Sequence, residues 1–354
     1  MNFSTSPATP QSVHRLHDEA SGLDGVIVLH STRLGPAAGG CRLWRYDEVS
    51  AATRDAMRLA EGMAYKNALA DLPLGGGKAV LRLPEGQFDR QRLFAAFGRA
   101  VAKLGGDYVT AEDVGTTVAD MHTVSEHCPF VAGLEPKVGM PGGDPSPWTA
   151  LGTLLSMREA ARRHGCSSLK GLTVAVQGLG NVGSHLCALL HEEGARLVVA
   201  DMRANFADHV AARFGAAVVA PDEIISARCD IFAPCALGGV IDAKSVKLLR
   251  ARIVCGAANN ILATDEDGDR LADCGVLYAP DYVVNAGGII NVAAEYLGWS
   301  AQEAESRVRQ TGARLGEVLD LACALAVPPH RAANALARER IAGLATLPQA
   351  AGAA

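Results

Sequence analysis

Residues 171–201 read GLTVAVQGLGNVGSHLCALLHEEGARLVVAD, and this stretch decides the fold of the chain around it. An apolar run at 172–176 leads into Gly178-Leu179-Gly180-Asn181-Val182-Gly183. A segment of helical character, 184–193, follows, and a second apolar run, 197–200, ends on Asp201. Strand, glycine turn, helix, strand and acid, with the acid 18 residues after the last glycine, make the βαβ dinucleotide fingerprint in the context it requires. Gly178 permits the tight turn, Gly180 lets the backbone approach a pyrophosphate, and Gly183 allows helix and strand to pack closely. Asn181 and Val182 belong to the same cofactor-binding turn, and the free N–H groups and positive dipole end of the helix that follows suit the pyrophosphate. Asp201 is expected to accept hydrogen bonds from a ribose diol and to repel a 2′-phosphate. That favours NAD over NADP, a preference tempered by Arg203 two residues on.

The chain has 354 residues, enough for two domains at about 150 residues each. It is 49% hydrophobic and 20% charged, an ordinary globular balance. A net charge of −5 gives no reason to expect a nucleic-acid partner. No apolar run approaches the roughly 18–20 residues of a membrane span. The opening residues, MNFSTSPATPQS, lack the basic and hydrophobic regions of a secretory signal and read as a disordered tail over 1–12. Nine scattered cysteines without a C-x-x-C pair suit reduced thiols in a cytoplasm.

Before the fingerprint, alternation over 14–30 with a turn at 22–25 predicts a hairpin whose second strand is 26–30. Next, STRLGPAAGGCR reads as an irregular glycine-rich loop, in which Gly39 and Gly40 could expose backbone N–H groups to a carboxylate. Apolar residues at helical spacing predict a helix over 50–72, with Lys66 on its last turns. Then LPLGGGKAVL sets Lys78 at the mouth of a strand over 79–83. This is no P-loop, because Leu72 stands where a glycine is needed and Ala79 replaces the metal-binding Ser/Thr. Another helix is expected over 88–104, then a short strand, 108–110, delivering Glu112 and Asp113 into a loop. His122 and His127 are five apart and share no helix face, so no metal site is expected.

Glycine and proline crowd residues 133–147, the expected domain boundary. A helix over 149–165 feeds the βαβ unit, and later strands are expected at 218–219, 230–233, 253–255 and 276–278. Loops at the carboxyl ends of such strands line the ligand crevice of an open parallel sheet. Ser300-Ala-Gln-Glu303 reads as a capping box opening one long helix to about residue 326. Pro328–Pro329 stop it, and a last helix runs to about 344.

GPAAGGCR, GMAYKNALADLPLGGGKAVL, GDYVTAEDVGT, VQGLGNVG, FAPCALGG, VCGAANN and YAPDYVVNAGG, in this order, resemble the amino-acid dehydrogenases for glutamate, leucine, phenylalanine and valine. The resemblance covers about residues 13–345 and is closest to the leucine/valine/phenylalanine branch. It implies an α/β protein of two domains: a mixed-sheet substrate and oligomerisation domain over 13–143, and a doubly wound Rossmann NAD-binding domain over 144–327. Residues 328–354 would carry a C-terminal helix packing back on the first domain. The implied reaction is NAD-linked reversible oxidative deamination of an L-amino acid to a 2-oxo acid and ammonia, by a homo-oligomer. Lys66, with the backbone at Gly39 and Gly40, would bind the substrate carboxylate. Lys78 would be the general base and Asp113 a proton relay, while Thr149, Asn260 and Asn285 would hold the nicotinamide end.

The implied side-chain pocket is apolar. In relatives that accept glutamate a lysine meets the distal carboxylate, and Ala38 corresponds to it here. Ala111, Ile289 and Val292 complete the lining. Burying an unpaired carboxylate against such groups costs roughly several kcal/mol, so a leucine- or valine-type substrate is expected. Phenylalanine or another aromatic amino acid is the alternative, and an NAD-binding sensor without catalysis a distant one.

Overall fold

The computed structural model describes residues 9–135 and 141–343. Part of the expected tail, five residues of the expected linker and the chain from 344 lie outside the described residues. The described chain forms two compact units. The first comprises residues up to Gly143, Val292–Ser300 and the chain from Ala335; the second comprises Asp144–Asn291 and Ala301–Asn334.

Among the described residues, the first unit is a mixed sheet between two helical layers. The hairpin β1 (Ser12–Asp18) and β2 (Leu23–Ser31) pairs antiparallel, and β2 pairs antiparallel with the central strand. The segment expected as an irregular loop instead holds two short strands, β3 (Ala37–Ala38) and β4 (Cys41–Trp44). Helix α1 (Val49–Leu69) leads into the central strand, β5 (Gly75–Arg82), against which both β3 and β4 lie parallel. Helix α2 (Arg90–Ala102) starts on an Asp89 cap, β6 (Tyr108–Val109) pairs with β3, and α3 (Val118–Ser125) opens with a Thr117/Asp120 capping box.

Side chains alternate across β5. Ala79 and Leu81 join Phe94, Phe97 and Tyr108 in the core beneath α2, while Val80 packs against Ala52, Ala56 and Ala60 of α1. Gly75–Gly77, expected to precede the strand, lie inside it. A Cβ on Gly76 would fall 2.2 Å from the backbone nitrogen of Ala64, so these glycines let α1 sit directly on the sheet. Lys78 is therefore in mid-strand, buried and pointing to the α1 side like Val80, two residues on. From the chain end, Arg338 donates to the Tyr65 hydroxyl (2.9 Å) and Arg340 pairs with Asp71 (2.8 Å), anchoring the last helix on α1.

The second unit begins with α4 (Ser146–Arg163). It then alternates β7 (Thr173–Gln177), α5 (Asn181–Glu192), β8 (Arg196–Ala200), α6 (Ala204–Phe214), β9 (Ala217–Val218), β10 (Ile231–Pro234), α7 (Ser245–Leu248), β11 (Ile253–Val254), α8 (Asp265–Asp273), β12 (Leu277–Tyr278) and α9 (Asp281–Val284). Among the described residues the strands form one parallel sheet in the order β9-β8-β7-β10-β11-β12. Numbered from β7, that is the doubly wound 3-2-1-4-5-6 order, whose direction switches between β7 and β10. The unit boundary falls within α10 (Gly287–Leu297), between Asn291 and Val292. The single long helix expected after Ser300 is two, α11 (Ala301–Arg309) and α12 (Thr311–Leu325). The break at Gln310 is held by Arg314, which donates to the Arg307 carbonyl (2.8 Å), and by Thr311, whose hydroxyl donates to Val308 (2.6 Å). Helix α13 (Pro329–Ala342) closes the described chain, its first residues, through Asn334, counting with the second unit. No helix among the described residues is long and apolar enough to cross a membrane.

Because Gly76 has backbone atoms of α1 where a side chain would go, Gly76→Ala is expected to lower unfolding stability by about 2 kcal/mol or more in urea titrations. Gly62, exposed on α1 with open space where a Cβ would go, serves as the tolerant comparison.

Candidate active site

The loop after β6 brings Asp113 to the α1 side of the first sheet. Its Oδ2 lies 2.9 Å from Lys78 Nζ and 3.2 Å from Arg42 Nε. Burial pushes the Asp113 carboxyl up, but the Lys78 and Arg42 charges outweigh it and hold the group below its ordinary value. Asp113 is thus an anion shared by two cations from adjacent strands. The loop is fixed from behind by Thr116, whose hydroxyl accepts from the Asp113 N–H (2.9 Å).

Gly40 makes room for this loop. A Cβ there would sit 2.6 Å from the Glu112 carbonyl oxygen and 2.8 Å from Asp113 Cβ. The expectation that Gly39 offers its N–H to a ligand does not hold, because that N–H is bonded to the Val109 carbonyl (3.1 Å) within the sheet. The Gly39 carbonyl in turn accepts from the buried Tyr108 hydroxyl (2.6 Å). Both glycines therefore serve interstrand packing, for which the sequence offered no partner. Ala38 is buried on β3 beside Gly76, and Ala111 is half-buried two residues before Asp113. Lys66 is half-buried on the last turns of α1, next to Asn67, whose side-chain amide donates to Gly75 (2.6 Å).

In the second unit the fingerprint turn lies at the switch point. Gly178 follows β7 with φ +91°, and a Cβ on it would fall 2.6 Å from Ala236, just after β10. A Cβ on Gly183 would meet the Gly178 carbonyl oxygen at 2.0 Å, whereas one on Gly180 would meet nothing within 4 Å. Gly180 is the uncapped N-terminus of α5, which carries Asn181 and Val182 in its first turn. Turn geometry and open helix end together fit a dinucleotide pyrophosphate. Asp201 ends β8 and ties itself to the turn: Oδ2 accepts from the Leu179 N–H (2.7 Å) and Oδ1 from that of Arg203 (2.9 Å). Burial raises this carboxyl, but these N–H bonds bring it below its ordinary value, so it stays an anion. Arg203 lies over the Phe206 ring, 3.6 Å from its centroid.

Asn285 donates to the carbonyl of Ala257 (3.1 Å) and to Asn259 (2.9 Å), while its own buried Oδ1 has no partner among the described residues. An orphaned acceptor here fits an amide donor such as the nicotinamide carboxamide. Asn260 is held at φ +52° by its N–H bond to Asp281 (2.5 Å), and Asp281 accepts from the buried Tyr278 hydroxyl (2.6 Å). Thr149, buried in the first turn of α4, donates its hydroxyl to Pro145 (3.0 Å). Ile289 and Val292 are half-buried on α10. Sequence reasoning missed Arg42, Asp55, Tyr278 and Asp281. Arg42 and Asp281 lie inside quoted motifs, but only the pairing of distant strands and loops gives them partners. Among the described residues no three His, Cys, Asp or Glu side chains are grouped to hold a metal.

Residues 10–129 match the family model described as Glu/Leu/Phe/Val dehydrogenase, dimerisation domain. Residues 144–210 and 199–347 match the Glutamate/Leucine/Phenylalanine/Valine dehydrogenase model. The chain belongs to this family. Like its relatives, it is an amino-acid dehydrogenase, an oxidoreductase acting on CH–NH2 donors. It is 47% identical over 325 residues to a leucine dehydrogenase of Bacillus subtilis, covering 92% of this chain and 89% of the relative. It is 43% identical to a valine dehydrogenase of Streptomyces albus, covering 96% and 94%. Among solved structures it is similar to an L-tryptophan dehydrogenase from Nostoc punctiforme, with a TM-score of 0.85 at 39% identity over 95% of this chain and 96% of that one.

Two of the three fingerprint glycines, Gly180 and Gly183, are expected to respond differently to one added methyl group. Gly180→Ala should unfold at the wild-type denaturant concentration yet bind NADH at least about tenfold more weakly by fluorescence titration. Gly183→Ala should lose stability itself.

Proposed function

We propose that this dehydrogenase uses NAD to deaminate an apolar L-amino acid of the leucine or valine type, with Lys78 as general base. The observation that carries this reading is the buried Lys78 ammonium 2.9 Å from a shared carboxylate, on a sheet face whose neighbouring expected pocket residue is Ala38, not a cation.

Lys66 holds the substrate carboxylate. Lys78, once neutral, takes a proton from the substrate ammonium, freeing the nitrogen lone pair. A bound nicotinamide would supply the acceptor for the hydride that must leave Cα as the C=N bond forms. Having released that proton to solvent, Lys78 removes a proton from the water that attacks the iminium carbon, and Asp113 relays this proton to the amine, which departs as ammonia as the carbinol O–H proton is lost to Lys78. Products are the 2-oxo acid and ammonia. Position matters as much as basicity, since Cα must be held at near-attack distance from its hydride acceptor. Asn285 Oδ1, Asn260 and Thr149 would hold the nicotinamide end of a bound cofactor, and Asp201 would receive a ribose diol and disfavour a 2′-phosphate.

The residues expected to meet the substrate side chain, Ala38, Ala111, Ile289 and Val292, are all apolar. A pocket of this kind separates apolar substrates by only about 1–3 kcal/mol per methylene. The similarity to a tryptophan dehydrogenase keeps an aromatic substrate as the second reading. The match of the first unit to a dimerisation domain supports a homo-oligomer, and the scattered thiols support a cytoplasmic setting.

Two measurements test this. Lys78→Ala should lower kcat by about 10²–10⁴-fold while NADH affinity stays within about twofold; unchanged turnover would instead point to a sensor. In a panel of leucine, valine, phenylalanine, tryptophan and glutamate assayed with NAD and NADP, leucine or valine with NAD should give the highest kcat/KM and glutamate none.

A further inference from the structure

Lys78 and Asp113 have tasks in the proposed reaction, whereas Arg42, which touches the same carboxylate oxygen, has none so far. On β4, Cys41 and Leu43 point into the core beneath α2, and Arg42 between them pairs with Val80 on the opposite, α1 side. Lys78 is two residues before Val80, so strand alternation brings both cations to one sheet face. The guanidinium uses two edges: Nε reaches Asp113 Oδ2 (3.2 Å), and NH1 reaches Asp55 Oδ2 on α1 (3.0 Å). Asp55 is fixed in turn by Tyr46, whose hydroxyl donates to it (2.5 Å), and by Arg58 (2.9 Å). A planar fork that never loses its charge can bridge two carboxylates; a lysine cannot span both in this way.

We propose that Arg42 is a positioning residue: a fixed cation that shares Asp113 Oδ2 with Lys78 and is anchored by Asp55, so that Lys78 can surrender its proton while Asp113 keeps a cationic partner. The inference rests on the assignment of Lys78 as the base. If Lys78 were the only cation on Asp113, neutralising it would leave a mostly buried carboxylate uncompensated, and Lys78 would hold its proton. The other groups around the cluster do not replace this charge. The Cys41 thiol is pushed far up by burial, and Tyr46 is pushed up to about 12 by burial and by Asp55, so both are neutral. Arg90 is committed to Asp120 (2.7 Å), and Glu112, at the exposed rim, adds negative charge only. Lys66, on α1, is the remaining ammonium of the unit's expected site.

The test is the pH dependence of kcat/KM for leucine oxidation in the full-length oligomer, from neutral to alkaline pH. Arg42→Gln should move the limb that reports deprotonation of the base to higher pH by about one unit, with the KM for NAD within about twofold of wild type. Arg42→Lys, which keeps the charge, should restore the limb most of the way. Asp55→Asn should move it in the opposite direction, because Arg42 is then less compensated. An unmoved limb in both Arg42→Gln and Asp55→Asn, with rates lowered equally at every pH, overturns the proposal. Should Arg42→Gln not fold, the sign of the Asp55→Asn shift decides alone, and a limb that stays or rises overturns it. Lys78→Ala separates the premise: loss of the limb together with the activity supports it, whereas an unchanged limb at full rate overturns the base assignment itself.

Discussion

One carboxylate oxygen, Asp113 Oδ2, is where the loop after β6, the central strand β5 and the short strand β4 meet. It holds Lys78 and Arg42 at the same time. Ion pairs in such half-buried places add little net stability, because desolvation cancels most of the attraction, yet removing one partner is costly. Their value here is geometric. The pairs fix the Lys78 side chain on the sheet face beneath α1, and several neighbouring contacts support that placement. Gly76 lets α1 rest on the strand, Gly40 leaves space for the Asp113 loop, and Tyr108 pins the backbone between them.

The second unit solves a different problem with a different economy of parts. The order of strands in its parallel sheet reverses between β7 and β10, and the turn leaving β7 is narrowed by glycines until backbone touches backbone. The polar side chains around that turn hold one another. Asp201 caps the Leu179 N–H, and Asp281 holds Asn260 in the left-handed region. Asn285 is anchored through its NH2 group and left with an unanswered oxygen. Most hydrogen-bonding capacity near the switch point is spent on rigidity, and what remains is what a nucleotide would require.

Much of this was legible in the sequence, for reasons that can be named. The βαβ fingerprint could be read because a turn demanding positive φ, a helical period and a strand period follow one another locally. The long helix α1 announced itself by its helical periodicity. Lys66, Lys78 and Asp113 could be picked out through family motifs, although their pairing could not. The strands β3 and β4 were hidden in a glycine-rich stretch, since two to four residues become a strand only when β5 and β6 lie beside them. The glycines of β5 were read as a loop before the strand because their reason for being there is a helix ending six residues earlier in the chain. Arg42 and Asp281 were invisible as partners for the same cause: 71 residues separate Arg42 from Asp113, and 21 separate Asp281 from Asn260.

The account stands on Lys78 acting as a base at the place where β5 holds it. The most direct measurement is chemical rescue of Lys78→Ala by small primary amines, following NADH formation from leucine. If Lys78 carries the proton, the rate should rise in proportion to the concentration of free-base amine and should increase with amine basicity among amines of similar size. A variant that turns over at the wild-type rate without added amine would contradict the assignment.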